Sequence, residues 1–70
     1  MKNLIKVERA RNNITQAELA KRVSVSRLTI NAIELGKYVP STVLSLKIAH
    51  TFGKNVNEIF ELEETDWNRK

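Results

Sequence analysis

A chain of 70 residues holds one domain, and at that length a hydrophobic core is marginal unless a disulfide, a metal or a partner chain helps it. Cysteine is absent and His50 is the single histidine, which excludes a disulfide framework and a closed Cys/His zinc site and makes a second subunit the expected staple. The net charge of +4 is uneven: residues 1–54 carry ten Lys and Arg against Glu8, Glu18 and Glu34, a balance of +7, whereas residues 55–70 carry two against five, a balance of −3.

Helix signals follow one another at short intervals, so the fold class expected is all-α. A first helix is expected from Asn3 to Asn12; it carries Leu4, Ile5, Val7 and Ala10 and is only loosely amphipathic. Thr15 starts a second helix, with Glu18 three positions on completing a capping box and Leu19, Ala20 and Val23 facing inward. Ser24 and Val25 interrupt the pattern. Ser26 then caps a third helix that runs to Leu35 and stops at Gly36. After a loop through Lys37 to Val39 and Pro40, Ser41 caps a fourth helix in which Leu44, Ser45, Ile48, Ala49 and Phe52 share one face, and Gly53 ends it. Asn55 with Glu58 repeats the capping-box pattern and opens a short fifth helix through Ile59 and Phe60. Residues 1–60 are read as the folded domain and 61–70 as an acidic tail, whose Leu62 and Trp67 either add a strand or an interface anchor or simply fray. Its carboxylates would be repelled by a phosphate backbone, so the tail is expected to point away from nucleic acid.

The segment from Gln16 to Leu35 carries the function. Two helices meet around a tight turn, small Ala20 lets them cross closely, and Val23, Val25, Ile30 and Ile33 fill the angle between them. At about 100° per residue, Thr29, Ile30 and Ile33 fall on one side of the third helix and Arg27, Leu28, Asn31 and Ala32 on the other. The second face presents a guanidinium and a carboxamide, the groups suited to bidentate bonds with guanine and adenine. Taken singly, either residue also fits an ordinary solvated face; together, behind a two-helix signature, they read as a recognition surface.

The stretch TQAELAKRVSVSRLTINAIELGKYVPS resembles the helix-turn-helix core of the Cro/C1-type (XRE) regulators, and the likeness extends from KVERAR to LKIAHTFGKNVNEIFELE. It is nearest to the short, single-domain dimeric members. The resemblance implies a five-helix, lambda-repressor-like bundle. It also implies that Arg27, Leu28 and Asn31 read bases, that Gln16, Ser26, Lys37 and Tyr38 meet the DNA backbone, and that Gln16 buttresses the recognition helix. Arg9 and Glu34 match a pair that joins the first and third helices. Two positions depart from the family. Ser24 stands where glycine is usual in the turn, at a cost of about 1 kcal/mol if it is left-handed. Leu28 stands where a polar reader is common and offers only apolar contact, such as with a thymine methyl.

No nucleophile or paired-acid motif is present, His50 has no partner visible in sequence, and so neither an enzyme nor a cofactor is expected. No apolar run is long enough to span a bilayer and Met1 to Lys6 lacks the apolar stretch of a secretory signal, which places the protein in the cytoplasm. The run Val43, Leu44, Leu46 exceeds the needs of one helix face. A dimer interface built from Val43, Phe60, Leu62 and Trp67 accounts for it, as does a fourth helix buried on most sides. The function expected is a homodimeric, sequence-specific DNA-binding regulator, most simply a repressor on a pseudo-palindromic operator, with no small-molecule ligand or membrane partner. The alternative is an antitoxin that autoregulates its operon and binds a toxin protein; ten residues after Phe60 are short for that task.

Overall fold

Helix ends set this architecture, because short helices in a small chain survive only where their terminal backbone groups find partners. The computed structural model describes residues 1–68. In chain order the elements are β1 (Lys2–Asn3), α1 (Ile5–Asn12), α2 (Gln16–Val23), α3 (Arg27–Glu34), α4 (Thr42–Thr51), α5 (Val56–Ile59), β2 (Phe60–Glu61) and α6 (Glu64–Trp67). Thr15 Oγ1 accepts from the Glu18 amide at 3.0 Å while the Glu18 carboxylate accepts from the Thr15 amide at 2.9 Å. Ser26 and Ser41 cap α3 and α4 through Thr29 and Leu44, each at 3.1 Å.

The far ends share a second device. Four helices stop at a left-handed residue: Asn13 at φ 55°, Ser24 at φ 63°, Gly36 at φ 76° and Gly53 at φ 65°. In each case that residue's amide and the next turn back to carbonyls of the last helical turn. At α3, for example, Gly36 N–H donates to Ile33 O at 3.0 Å and Lys37 N–H to Ala32 O at 2.9 Å. Ser24 therefore adopts the strained conformation that its place in the turn suggested. Its amide and that of Val25 still reach Lys21 O and Ala20 O, at 3.3 and 3.0 Å.

Buried faces converge on one core. Leu19, Ala20 and Val23 of α2 meet Ile30 and Ile33 of α3 and Leu44, Ile48 and Ala49 of α4, with Phe52, Ile59 and Phe60 closing one side. Each fully buried isoleucine contributes about 2 to 3 kcal/mol of transfer free energy. The angle between α2 and α3 is thus filled as their spacing requires, and Val25 packs against the core from the turn.

Two expectations are corrected, the start of α1 and the place of Phe60. Helix α1 begins at Ile5, not Asn3, because Asn3 pairs with Phe60 in a two-stranded antiparallel sheet while Lys2 pairs with Glu61. The Asn3 side chain accepts from the Ile5 amide at 3.2 Å and donates to Ile33 O at 2.9 Å, tying the chain start to α3. The inward face of α1 is Ile5 and Glu8, and Leu4 and Val7 are exposed; Glu8 is only 4% exposed and pairs with Arg11 at 3.3 Å. Phe60, expected as a surplus apolar group, belongs to the core at 6% exposure, because pairing with Asn3 turns its side chain inward.

The tail folds back. Beyond β2, α6 brings Glu63 and Asp66 to the α-ammonium of Met1, at 2.9 and 3.3 Å. The Glu63 carboxylate, with help from Asp66, raises that amine above its usual 8.0, and the Glu63 backbone amide holds Asp66 below its usual 3.8. Met1 and Glu63 border a surface depression with Glu34, Leu35 and Gly36, at the end of α3 opposite Arg27. The expected boundary 61–70 includes residues 69 and 70, which lie outside the described residues.

Candidate nucleic-acid interface

The candidate interface is the N-terminal end of α3 and what holds it. Ser26 starts this helix by accepting the Thr29 amide, and its hydroxyl also meets Thr29 Oγ1 at 3.0 Å. From this start Arg27 and Leu28 project outward, Leu28 with 68% of its surface exposed, while Ile30 and Ile33 anchor the opposite face in the core. Asn31 and Ala32 are half-buried at the inner edge of the free face. Lys37 and Tyr38 are exposed on the loop that follows Gly36. His50 is exposed on α4, and among the described residues no cluster of His, Asp and Glu is placed to hold a metal.

Arg27, Asn31 and Glu34 stand at i, i+4 and i+7, so they form one stripe along α3, and Gln16 at the start of α2 lies across it. The Gln16 amide nitrogen donates to Asn31 Oδ1 and to Glu34 Oε1, each at 3.1 Å, and its oxygen accepts from Arg27 Nη1 at 3.4 Å. Glu34 in turn holds Arg9 by two bonds, Nε to Oε2 at 2.6 Å and Nη2 to Oε1 at 3.0 Å. The side chains of Arg9 and Glu34 are 16% and 7% exposed. The Glu34 carboxylate beside it holds the Arg9 guanidinium pKa above its ordinary value. Arg9 also donates to Ile14 O at 3.3 Å, so the bridge reaches the α1–α2 corner.

The structure therefore brings Gln16, Arg27, Asn31, Glu34 and Arg9 into one network that joins α1, α2 and α3. Lys37 and Tyr38 lie beyond the far end of α3, outside it. Of the apolar residues expected at a dimer interface, Val43, Leu62 and Trp67 are exposed, as is Leu46, whereas Phe60 is not. The link from Glu34 to Gln16 escaped sequence reasoning. The i, i+3 relation of Asn31 and Glu34 is the signal that both could share one partner.

Among the described residues no helix is long and apolar enough to cross a membrane. A helix-turn-helix family model, HTH_3, matches residues 5–59. An uncharacterized HTH-type transcriptional regulator of Methanocaldococcus jannaschii is 52% identical over 66 residues, covering 94% of this chain and 100% of its own. The HTH-type regulator YgzD of Bacillus subtilis is 47% identical over 64 residues, covering 91% of this chain and 97% of its own. Among solved structures, the clp gene regulator ClgR of Corynebacterium glutamicum superposes with a TM-score of 0.73 at 28% identity; it matches 77% of this chain, which spans only 57% of ClgR. The comparisons lend no support to an antitoxin. The lambda-repressor-like fold, the helix-turn-helix at its centre and relatives matched along almost their whole length agree: this chain belongs to the Cro/C1-type (XRE) helix-turn-helix family of DNA-binding transcriptional regulators.

Proposed function

We propose that this regulator is a cytoplasmic homodimer that binds a pseudo-palindromic operator and represses by occupying a promoter, acting by binding and not by catalysis. The observation that carries the reading is the outward presentation of Arg27 and Leu28 at the start of α3, buttressed by Gln16 and the buried Arg9–Glu34 pair. Arg27, Leu28 and Asn31 read base edges. Gln16, Ser26, Lys37 and Tyr38 contact the backbone. A second copy covers the exposed Val43, Leu46, Leu62 and Trp67, which a domain of this size otherwise leaves in water.

Sedimentation and binding to DNA selected from a random pool test both halves. The selected site is expected to hold two half-sites with centres about 10 base pairs apart. The slope of log K against log salt is expected at about −5 to −7, as for three or four phosphates per half-site. A slope near zero, or a folded monomer at hundreds of micromolar, would refute the reading.

A further inference from the structure

Resting on the reading of the protein as a homodimer, we infer that the two copies exchange their tails: the Glu64–Trp67 face of α6 in one copy packs on the outer face of α4 in the other, and the reverse. Helix α4 divides into two faces. Leu44, Ser45, Ile48 and Ala49 are buried, whereas Val43, Leu46, Lys47 and His50, at i, i+3, i+4 and i+7, form one exposed stripe. Val43 and Leu46 are 63% and 54% exposed. With Lys54 and Val56 this stripe borders a depression that no acidic side chain lines. Along the helix it runs from apolar to cationic.

The tail has the complementary make-up. Glu63 and Asp66 are half-buried and turn to the Met1 ammonium, at 2.9 and 3.3 Å, whereas Glu64 and Trp67, three positions apart, share the outward face of α6. Among the described residues Trp67 is the most exposed large apolar side chain, at 72%, and Glu64 has no cationic partner. An indole beside a carboxylate thus matches aliphatic side chains beside lysines: Trp67 covers Val43 and Leu46, while Lys47 and Lys54 meet Glu64 and the ring face. Pairing α4 with α4 leaves its lysines without an opposite charge, and pairing α6 with α6 does the same to Glu64. The two faces are also neighbours across Met1, which lines a second depression with Leu46 and Val56 while its ammonium holds Glu63 and Asp66. A twofold axis beside Met1 therefore lets each copy give its α6 and receive its partner's within one isologous interface. The ion pairs at Met1 are then what present Trp67 to the partner.

The test follows the fluorescence of Trp67, the single tryptophan of the chain, in the full-length protein without DNA, beside sedimentation over the same dilution series. Its emission is expected to shift to the blue, and its quenching by acrylamide to fall, as the dimer forms. Trp67→Ala and Leu46→Asp, both at exposed positions, are each expected to weaken the dimer about a hundredfold, about tenfold for each of the two equivalent contacts. Mixed together, the two variants should form a heterodimer about tenfold tighter than either homodimer, because both lesions then fall in one contact and the other is intact. A dimer whose Trp67 emission does not change, or that Trp67→Ala leaves as tight as wild type, overturns the inference and leaves the homodimer standing. Weakening by both variants with no preference for the heterodimer means that each face meets its own copy, which overturns it as well. A folded monomer at hundreds of micromolar overturns the homodimer reading itself.

Discussion

Replacing Glu34 by alanine tests the network that supports the candidate interface. The carboxylate accepts two bonds from Arg9 and one from Gln16, at 2.6, 3.0 and 3.1 Å, and its side chain is 7% exposed. Removing one member of a buried ion pair costs about 3 to 5 kcal/mol, because the remaining charge is left desolvated. Arg9 keeps 16% exposure and its bond to Ile14 O at 3.3 Å, so it rehydrates in part and the expected loss is about 3 kcal/mol, at the lower edge of the usual range. Arg9→Ala combined with Glu34→Ala should cost less than Glu34→Ala alone, since no unpaired guanidinium remains. Urea unfolding followed at several protein concentrations separates these folding terms from any contribution of self-association. A loss below about 0.5 kcal/mol for Glu34→Ala, the size of an exposed pair, would refute the reasoning, and so would simple additivity of the two substitutions.

Ser24→Gly should stabilise the protein by about 1 kcal/mol without changing DNA affinity, since glycine adopts the φ of 63° freely; thermal unfolding checks this, and a loss of stability would show that the serine side chain matters there. Docking of the tail should be strongest from about pH 4 to pH 8. The Met1 ammonium, with its pKa raised, contributes fully below 8.0 and loses that contribution as pH climbs through its folded value. Asp66, with its pKa lowered, contributes fully above 3.8 and loses it as pH falls through its folded value. Amide exchange across residues 63–67 as a function of pH reports it, and a flat profile counts against the contact. Asn31→Ala should lose about 1 to 3 kcal/mol on the selected operator and little on scrambled DNA, whereas Lys37→Ala should weaken both and reduce the salt slope by about two per dimer. Titrations of both variants on both DNAs decide this, and equal losses for Asn31→Ala would contradict its role.

The local order of this protein is written in its sequence. Thr15 with Glu18, Ser26 and Ser41 mark where α2, α3 and α4 begin, because a side-chain oxygen that satisfies a free amide acts within one turn and needs no knowledge of the fold. Gly36 and Gly53 mark ends because a residue without Cβ takes the left-handed conformation that closes the last turn, which is again a local effect. Helical spacing likewise selects Leu19, Ala20, Val23, Ile30 and Ile33 for burial, and a two-helix motif with Arg27 and Asn31 points to DNA. What joins distant segments was decided only in three dimensions. Strands of two residues have no period to read, so the pairing of Lys2 and Asn3 with Glu61 and Phe60 appears only when the termini meet, and it turns Phe60 into the core and starts α1 late. Nor can helical pattern tell that Glu8 lies inside while Leu4 and Val7 lie outside, because a loosely amphipathic helix takes its inward face from its neighbours. The direction in which the Gln16 amide points is the sharpest case: residue types permit either orientation, and only the approach of Arg9 and Glu34 from one side and Arg27 from the other selects one.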